Sequence, residues 1–179
     1  MQDCCSEEQG MLAVLGLEEQ ELMSLLKSAG LDQAISLANV NSKTQLVVAG
    51  AKAELSDMET LLSSKEPAAG IKTKWLNVEG AFHSPFMERA NYRLRPYLDA
   101  VKFHNPSCFV VSNLNGLASR DGEEILDCLK NQMVSRVKWY DTILQIKELG
   151  TKAFYEVGPG ETLKKICMTI TFKPKCYGV

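Results

Sequence analysis

The chain has 179 residues, 45% of them hydrophobic and 23% charged, with a formal net charge of −2. That is enough chain for a real core, in one domain or two small ones, and the slightly acidic balance, with a pI near 5.8, speaks against a nucleic-acid binder, which carries a basic excess on one face. No apolar run of about eighteen residues and no basic segment leading into an apolar core occurs, so neither a membrane span nor a signal peptide is expected.

The first nine residues are polar and acidic and specify little. Residues 11–17 form a short apolar run bounded by glycine, consistent with a buried strand. Over 18–29, Leu22, Leu25 and Leu26 recur at helical spacing, and Gly30 is placed to end the helix. Runs rich in β-formers at 34–40 and 45–51 flank Asn41-Ser42-Lys43-Thr44, turn chemistry that predicts a hairpin. Residues 53–62 are helical again, and 71–78 alternates as a strand. The order βαββαβ over 10–78 is the split βαβ or ferredoxin-like arrangement.

Residues 85–101 predict a helix with Met87, Ala90, Leu94 and Leu98 along one side, kinked or broken at Pro96. A strand at 108–112, helices at 123–134 and 139–149, a strand at 153–157 and a helix from 161 follow. Strands alternating with helices predict a parallel α/β sheet over 79–179. So few strands leave an edge uncovered, so this half is expected to need a partner, whereas 10–78 is expected to fold alone.

Six cysteines are present (Cys4, Cys5, Cys108, Cys128, Cys167, Cys176). None forms CxxC and most lie in apolar periodic stretches, so reduced, buried thiols in a reducing interior are expected. The two histidines are far apart in sequence, which leaves no zinc pattern.

The segment Gly80-Ala81-Phe82-His83-Ser84-Pro85-Phe86-Met87 carries the chemistry. Ser84-Pro85 supplies a helix N-cap and a proline at the first helical position. His83 therefore sits at a strand-to-helix junction, where open α/β sheets bind ligands. A histidine there is a candidate base. The competing reading is a satisfied turn residue, and that reading is adopted for His104, which lies in the polar turn Phe103-His104-Asn105-Pro106.

Five landmarks in order carry a resemblance. They are the opening run 10–17, the asparagine-rich hairpin 39–50, GAFHSPFM at 80–87, Ser112-Asn113-Leu114-Asn115-Gly116 with the following 131–139, and Tyr155-Glu156-Val157-Gly158-Pro159-Gly160. Together they resemble the malonyl-CoA:acyl carrier protein transacylases, acyltransferases of fatty acid synthesis related to polyketide synthase acyltransferase domains. The resemblance implies a ferredoxin-like subdomain over 10–78 and, over 79–179, the C-terminal part of an α/β-hydrolase-like parallel-sheet subdomain, about two thirds of that fold in all. It implies malonyl transfer from coenzyme A to the phosphopantetheine thiol of acyl carrier protein through an acyl-serine ester, with no cofactor and no metal. The implied partners are malonyl-CoA and acyl carrier protein, with a monomer once complete, in bacterial cytoplasm or an organelle interior.

By the same resemblance, His83 is the general base and the backbone carbonyl of Gln132 orients it. Phe82 would favour malonyl by filling the space of an α-methyl group, a selectivity worth about 1–3 kcal/mol, though an ordinary core position explains it as well. Asn41 is implied to line the cleft, though turn chemistry explains it as well. The family's GxSxG serine does not occur in these residues, and its malonate-binding arginine and oxyanion glutamine are not matched. Ser84 adjoins His83 and is expected to cap the helix rather than replace that serine. Loss of a nucleophile costs on the order of 10⁶ in turnover, so this chain alone is expected to be inactive. The alternative is a non-catalytic short form that binds acyl carrier protein through Lys130, Arg136 and Lys138, against the plainer reading of those residues as a solvated helix face.

Overall fold

A computed structural model of the chain describes residues 4–64, 70–170 and 173–178. Four strands form one antiparallel sheet: β1 (Gln9–Leu15), β2 (Ser36–Ser42), β3 (Gln45–Ala51) and β4 (Lys72–Trp75), in the order β2-β3-β1-β4. Helices α1 (Glu19–Ser28) and α2 (Lys52–Ser63) connect them.

Alternation along β1 and β3 decides how the sheet is covered, because successive side chains point to opposite faces. Leu12, Val14, Leu46 and Val48 meet Leu22 and Leu26 of α1 and Leu55, Met58 and Leu62 of α2 in the main core. Each such side chain contributes about 1.5–3 kcal/mol by its burial. The intervening Met11, Ala13, Val47 and Ala49 line the other face, with Ala38 of β2, and receive Ala81 and Phe82. Two buried faces explain why 11–17 reads as a continuous apolar run.

Local chemistry holds both ends of α1, and Gly30 ends it as the sequence predicts. The Glu21 carboxylate accepts from the Glu18 N–H at 3.0 Å. At the far end Gly30, with φ +71°, donates to the Lys27 carbonyl and Leu31 to the Leu26 carbonyl, the paired bonds of a Schellman ending. The hairpin turn is tighter than expected, with Lys43 and Thr44 alone between the strands. Register shifts between Leu37 and Asn39, and between Val40 and Ser42, bend β2 along the asparagine-bearing stretch. β4 ends at Trp75, whose indole N–H and the Thr73 hydroxyl both donate to the Glu59 carboxylate, at 2.8 and 2.9 Å.

Beyond the sheet come a 3-10 turn (Pro85–Met87), α3 (Glu88–Ala100), β5 (Val110–Val111), β6 (Ala118–Ser119), α4 (Gly122–Asn131), a second 3-10 turn (Gln132–Val134), α5 (Trp139–Glu148), β7 (Phe154–Glu156), α6 (Thr162–Cys167) and β8 (Cys176–Gly178). The helix α3 runs through Pro96. Pro96 is on the exposed side, so the carbonyl one turn earlier that loses its helical donor faces water.

The expectation of one parallel sheet over 79–179 needs correction. β5 pairs antiparallel with β6, and β7 pairs parallel with β8, as separate two-stranded pieces. The apolar run 108–112 signals a strand but not its neighbour. Here the chain turns back at once, with Gly116 donating to the Ser112 carbonyl and Ser112 to the Leu117 carbonyl. The halves are joined at the edge of β2. Val137 donates to the Ala38 carbonyl at 2.7 Å and accepts from Val40 at 2.9 Å, while Lys138 donates to the Asn113 carbonyl at 2.8 Å.

Among the described residues no helix is long and apolar enough to cross a membrane, and no group of three His, Cys, Asp or Glu side chains is placed to hold a metal ion. Among the described residues no disulfide is formed, and only Cys128 and Cys167 of the cysteines are buried while Cys108 is exposed. The apolar periodicity thus overstates their burial.

Candidate functional site

The chain leaves the sheet beneath its small-residue face. Close packing governs the approach: a Cβ on Gly80 would come within 2.7 Å of the Cys5 sulfur. Ala81 is fully buried and its N–H points to the Gln9 side-chain oxygen at 3.4 Å. Ser84, also fully buried, donates its hydroxyl proton to the Ala81 carbonyl and accepts from the Phe86 N–H at 3.3 Å. With Pro85 at the first helical position it caps the turn that leads into α3. Both hydrogen-bonding roles of this hydroxyl are committed to backbone, which is the structural reading of Ser84 given above.

Between Ala81 and Ser84 the backbone must reverse, and His83 takes the strain with φ +58°. A left-handed conformation costs an ordinary L-residue about 1–2 kcal/mol. The ring is held against this cost. Nδ1 lies 3.1 Å from the Gln132 carbonyl oxygen and 3.2 Å from that of Ser135. Carbonyls only accept, so the proton of a neutral ring resides on Nδ1 and Nε2 carries the free lone pair. Ser135 was not singled out by the sequence, and no side-chain signal marks it, because the group involved is backbone. It follows from the 3-10 turn, which aims the carbonyls of its first residue and of the residue after it the same way.

That turn is itself held. Arg95 of α3 donates to the Asn131 side-chain oxygen at 3.0 Å, and Lys130 is ion-paired with Asp99, both just ahead of Gln132. On the other side Val137 locks onto β2, the strand that carries Asn41. Asn41 is 7% exposed, on the bulged stretch one residue past Val40 and its bond to Val137. Phe82 is partly buried and packs against the cluster of Met11, Ala13, Ala38, Val47, Ala49 and Ala81. His104 lies away from this constellation, in the loop against which Gly122 packs closely. The Asn105 side-chain oxygen accepts from the Gly122 N–H at the start of α4.

Of the basic candidates, Arg136 is ion-paired with Glu19 and Lys130 with Asp99, so two of the three charges are offset within the chain. Lys138 lines a cavity of about 420 Å³ with Lys43 and Tyr140, but also with Glu18 and Asp141. Its lining has no excess of one sign.

Chemically, the arrangement is a pre-oriented imidazole with its Nδ1–H anchored and its Nε2 lone pair available to take a proton. No family model matches the chain. A polyketide-biosynthesis malonyl CoA-acyl carrier protein transacylase of Bacillus subtilis (strain 168) is 35% identical over 154 residues, which are 86% of this chain and 52% of that protein. The solved acyl carrier protein S-malonyltransferase of Vibrio cholerae superposes with a TM-score of 0.88 at 27% identity, over 100% of this chain and 58% of that one. A malonyl-transacylase solved in complex with its type II polyketide acyl-carrier protein superposes with a TM-score of 0.87 at 26% identity, over 99% and 57%. The chain is a homologue of the malonyl CoA-acyl carrier protein transacylases. It spans about half the length of the curated transacylases it matches, 52% of the Bacillus subtilis protein and 54% of one from Haemophilus influenzae, less than the two thirds expected from its landmarks. The superposed transacylase structures are α/β proteins, and this chain has the mixed helices and sheets of that class.

Proposed function

We propose that this chain supplies the proton-transfer half of a malonyl transfer from coenzyme A to the phosphopantetheine thiol of an acyl carrier protein. The observation that carries the reading is His83, held in a left-handed conformation with Nδ1 between the carbonyls of Gln132 and Ser135. Nε2 is then the atom that takes the proton of a serine nucleophile and, in the second half-reaction, that of the acceptor thiol. The serine and thiol attack malonyl carbonyl carbon in turn, releasing the coenzyme A thiol first and the serine hydroxyl second. The carrier-protein complex of one relative supports the choice of acceptor.

Within this reading Gln132 positions the base through its backbone. Phe82 limits the space beside the malonyl Cα, and its packing on the small-residue face supports a fixed ring there. Asn41 lines the cleft from β2. Residues 10–78 are the ferredoxin-like subdomain, which the strand order β2-β3-β1-β4 supports, and 79–179 are part of the large acyltransferase subdomain. This chain contains no GxSxG, so alone it does not turn over. The paired state of Lys130 and Arg136 weighs against the alternative of a carrier-binding module built on those charges.

The test combines the chain with a separately produced segment of the Bacillus subtilis transacylase that has no counterpart in it, and follows malonyl transfer to holo acyl carrier protein. The chain alone gives no malonyl adduct by intact mass. The mixture transfers malonyl, and His83→Ala lowers the rate by a factor on the order of 10³ or more. Transfer unchanged by His83→Ala, or a stoichiometric adduct on the chain alone, overturns the reading.

A further inference from the structure

Two of the cysteines come together at the end of the chain. The helix α6 closes on Cys167, and β8 opens on Cys176. Cys167 is fully buried with Ile143 and Ile170, and Cys176 packs against that cluster. Both line one small cavity of about 200 Å³, which Trp139, Phe154 and Leu163 also wall. Their backbones are fixed on each side. The Cys167 carbonyl accepts from the Ile170 N–H at 3.1 Å, and the Phe154 N–H donates to the Lys175 carbonyl at 2.8 Å, which sets Cys176 opposite Phe154 in the parallel register. The start of α6 is tied to β7 by Glu156, whose carboxylate accepts from the Leu163 and Lys164 N–H groups at 2.9 Å each. The two thiols differ in exposure. Cys176 is half-buried, so a reagent from solvent reaches it first.

We propose that Cys167 and Cys176 are a disulfide-forming pair, closed by a low-molecular-weight disulfide and reopened by the matching thiol. The Cys176 thiolate attacks one sulfur of that disulfide and expels the other half, which takes up the proton that Cys176 gave up. The Cys167 sulfur then attacks the Cys176 sulfur of the mixed disulfide, loses its proton and expels the second half as a thiol. Two protein thiols are oxidised by two electrons, and one reagent disulfide is reduced to two thiols. The order of attack follows from the site. The thiolate is the nucleophile, and Cys167, whose thiol is pushed up to about 12 by burial and then by Cys176, is the poorer starter. Capping Cys176 as a mixed disulfide removes the share due to Cys176 and leaves Cys167 beside the sulfur it attacks. The closed link would tie β8 to a helix already anchored on β7. A two-stranded sheet is marginal by itself, so this bond decides how long the end of the chain stays paired.

The experiment equilibrates the whole chain with glutathione disulfide and glutathione, quenches in acid and maps the unreduced peptides by mass. A link between Cys167 and Cys176 is expected, about 30-fold more favoured in the native chain than in denaturing urea, the scale of closing a short loop. By linkage, amide exchange at residues 176–178 slows by about the same factor once the link is closed. Cys167→Ser is expected to stop the reaction with one glutathionyl group on Cys176, and Cys176→Ser to leave Cys167 reduced while the exposed Cys108 reacts. Cys167→Ala serves if the serine variant loses its native far-UV spectrum. The proposal is overturned by a link equally favoured in urea, by a mixed disulfide that persists on Cys176 of the folded native chain, or by unchanged exchange at 176–178 in the linked chain. It is overturned as well if Cys167 and Cys176 both stay reduced when Cys108 is fully modified.

Discussion

Ser84→Ala separates a structural hydroxyl from a chemical one. In the native chain this fully buried hydroxyl accepts from Phe86 and donates to Ala81. Loss of an N-cap costs about 0.5–2 kcal/mol. The Ala81 carbonyl, buried with its residue, is left without its hydroxyl donor, at about 1–3 kcal/mol. The expected loss is thus about 3 kcal/mol, a large part of a domain's margin of about 5–15 kcal/mol. With a urea dependence near 2 kcal/mol per molar, the unfolding midpoint falls by about 1.5 M. Tryptophan fluorescence reads it, since Trp75 reports from the four-stranded sheet and Trp139 from α5. A fall of less than about 0.3 M, on a variant whose spectrum is native, refutes the claim that this hydroxyl holds the His83 turn.

Gly116→Ala places a Cβ 2.7 Å from the Asp141 Cβ at a φ of +73°. Left-handed strain and overpacking together predict a loss of about 3 kcal/mol. Gly30→Ala, at φ +71° with open space around it, should cost only about 1 kcal/mol, and thermal unfolding of the two variants compares them directly. The Glu156 carboxyl is held below its ordinary value by the backbone N–H groups of Lys164 and Leu163. Its contribution is therefore present above the unfolded carboxyl range and lost as pH falls through the lower folded value. Exchange protection at Leu163 and Lys164 should drop only as pH falls below the ordinary carboxyl range, and Glu156→Gln should abolish that pH dependence. Burial, followed by its contact with Cys176, pushes the Cys167 thiol up to about 12. At pH 8 a maleimide should label Cys108 about 100-fold faster than Cys167; equal rates by peptide mass mapping would refute the assigned burial.

What could be read from the sequence followed short-range chemistry. Gly30 ends α1 because only a residue free of Cβ strain takes that conformation cheaply, and Ser84-Pro85 starts a turn because cap and fixed φ act within four residues. The position of His83 before that turn was legible for the same reason. The second carbonyl on its ring, from Ser135, was not, since a backbone oxygen leaves no trace in residue type. Strand partners in the second half were equally hidden: Val110-Val111 reads as β wherever its neighbour lies, and only Gly116 marks the reversal that pairs it with Ala118-Ser119. Pro96 does not break α3, because its cost depends on whether the orphaned carbonyl meets water or protein.

The two-sided burial of β1 and β3 also acts as a proofreader of pairing. Leu12, Val14, Leu46 and Val48 alternate with Met11, Ala13, Val47 and Ala49, and a slip of one residue exchanges the faces. The helices would then close over alanines, leaving voids, while Leu12 and Leu46 would drive into the space that receives Ala81 and Phe82. An error in the sheet is thus penalised on both sides at once, and the segment bearing His83 can dock only on a correctly registered sheet.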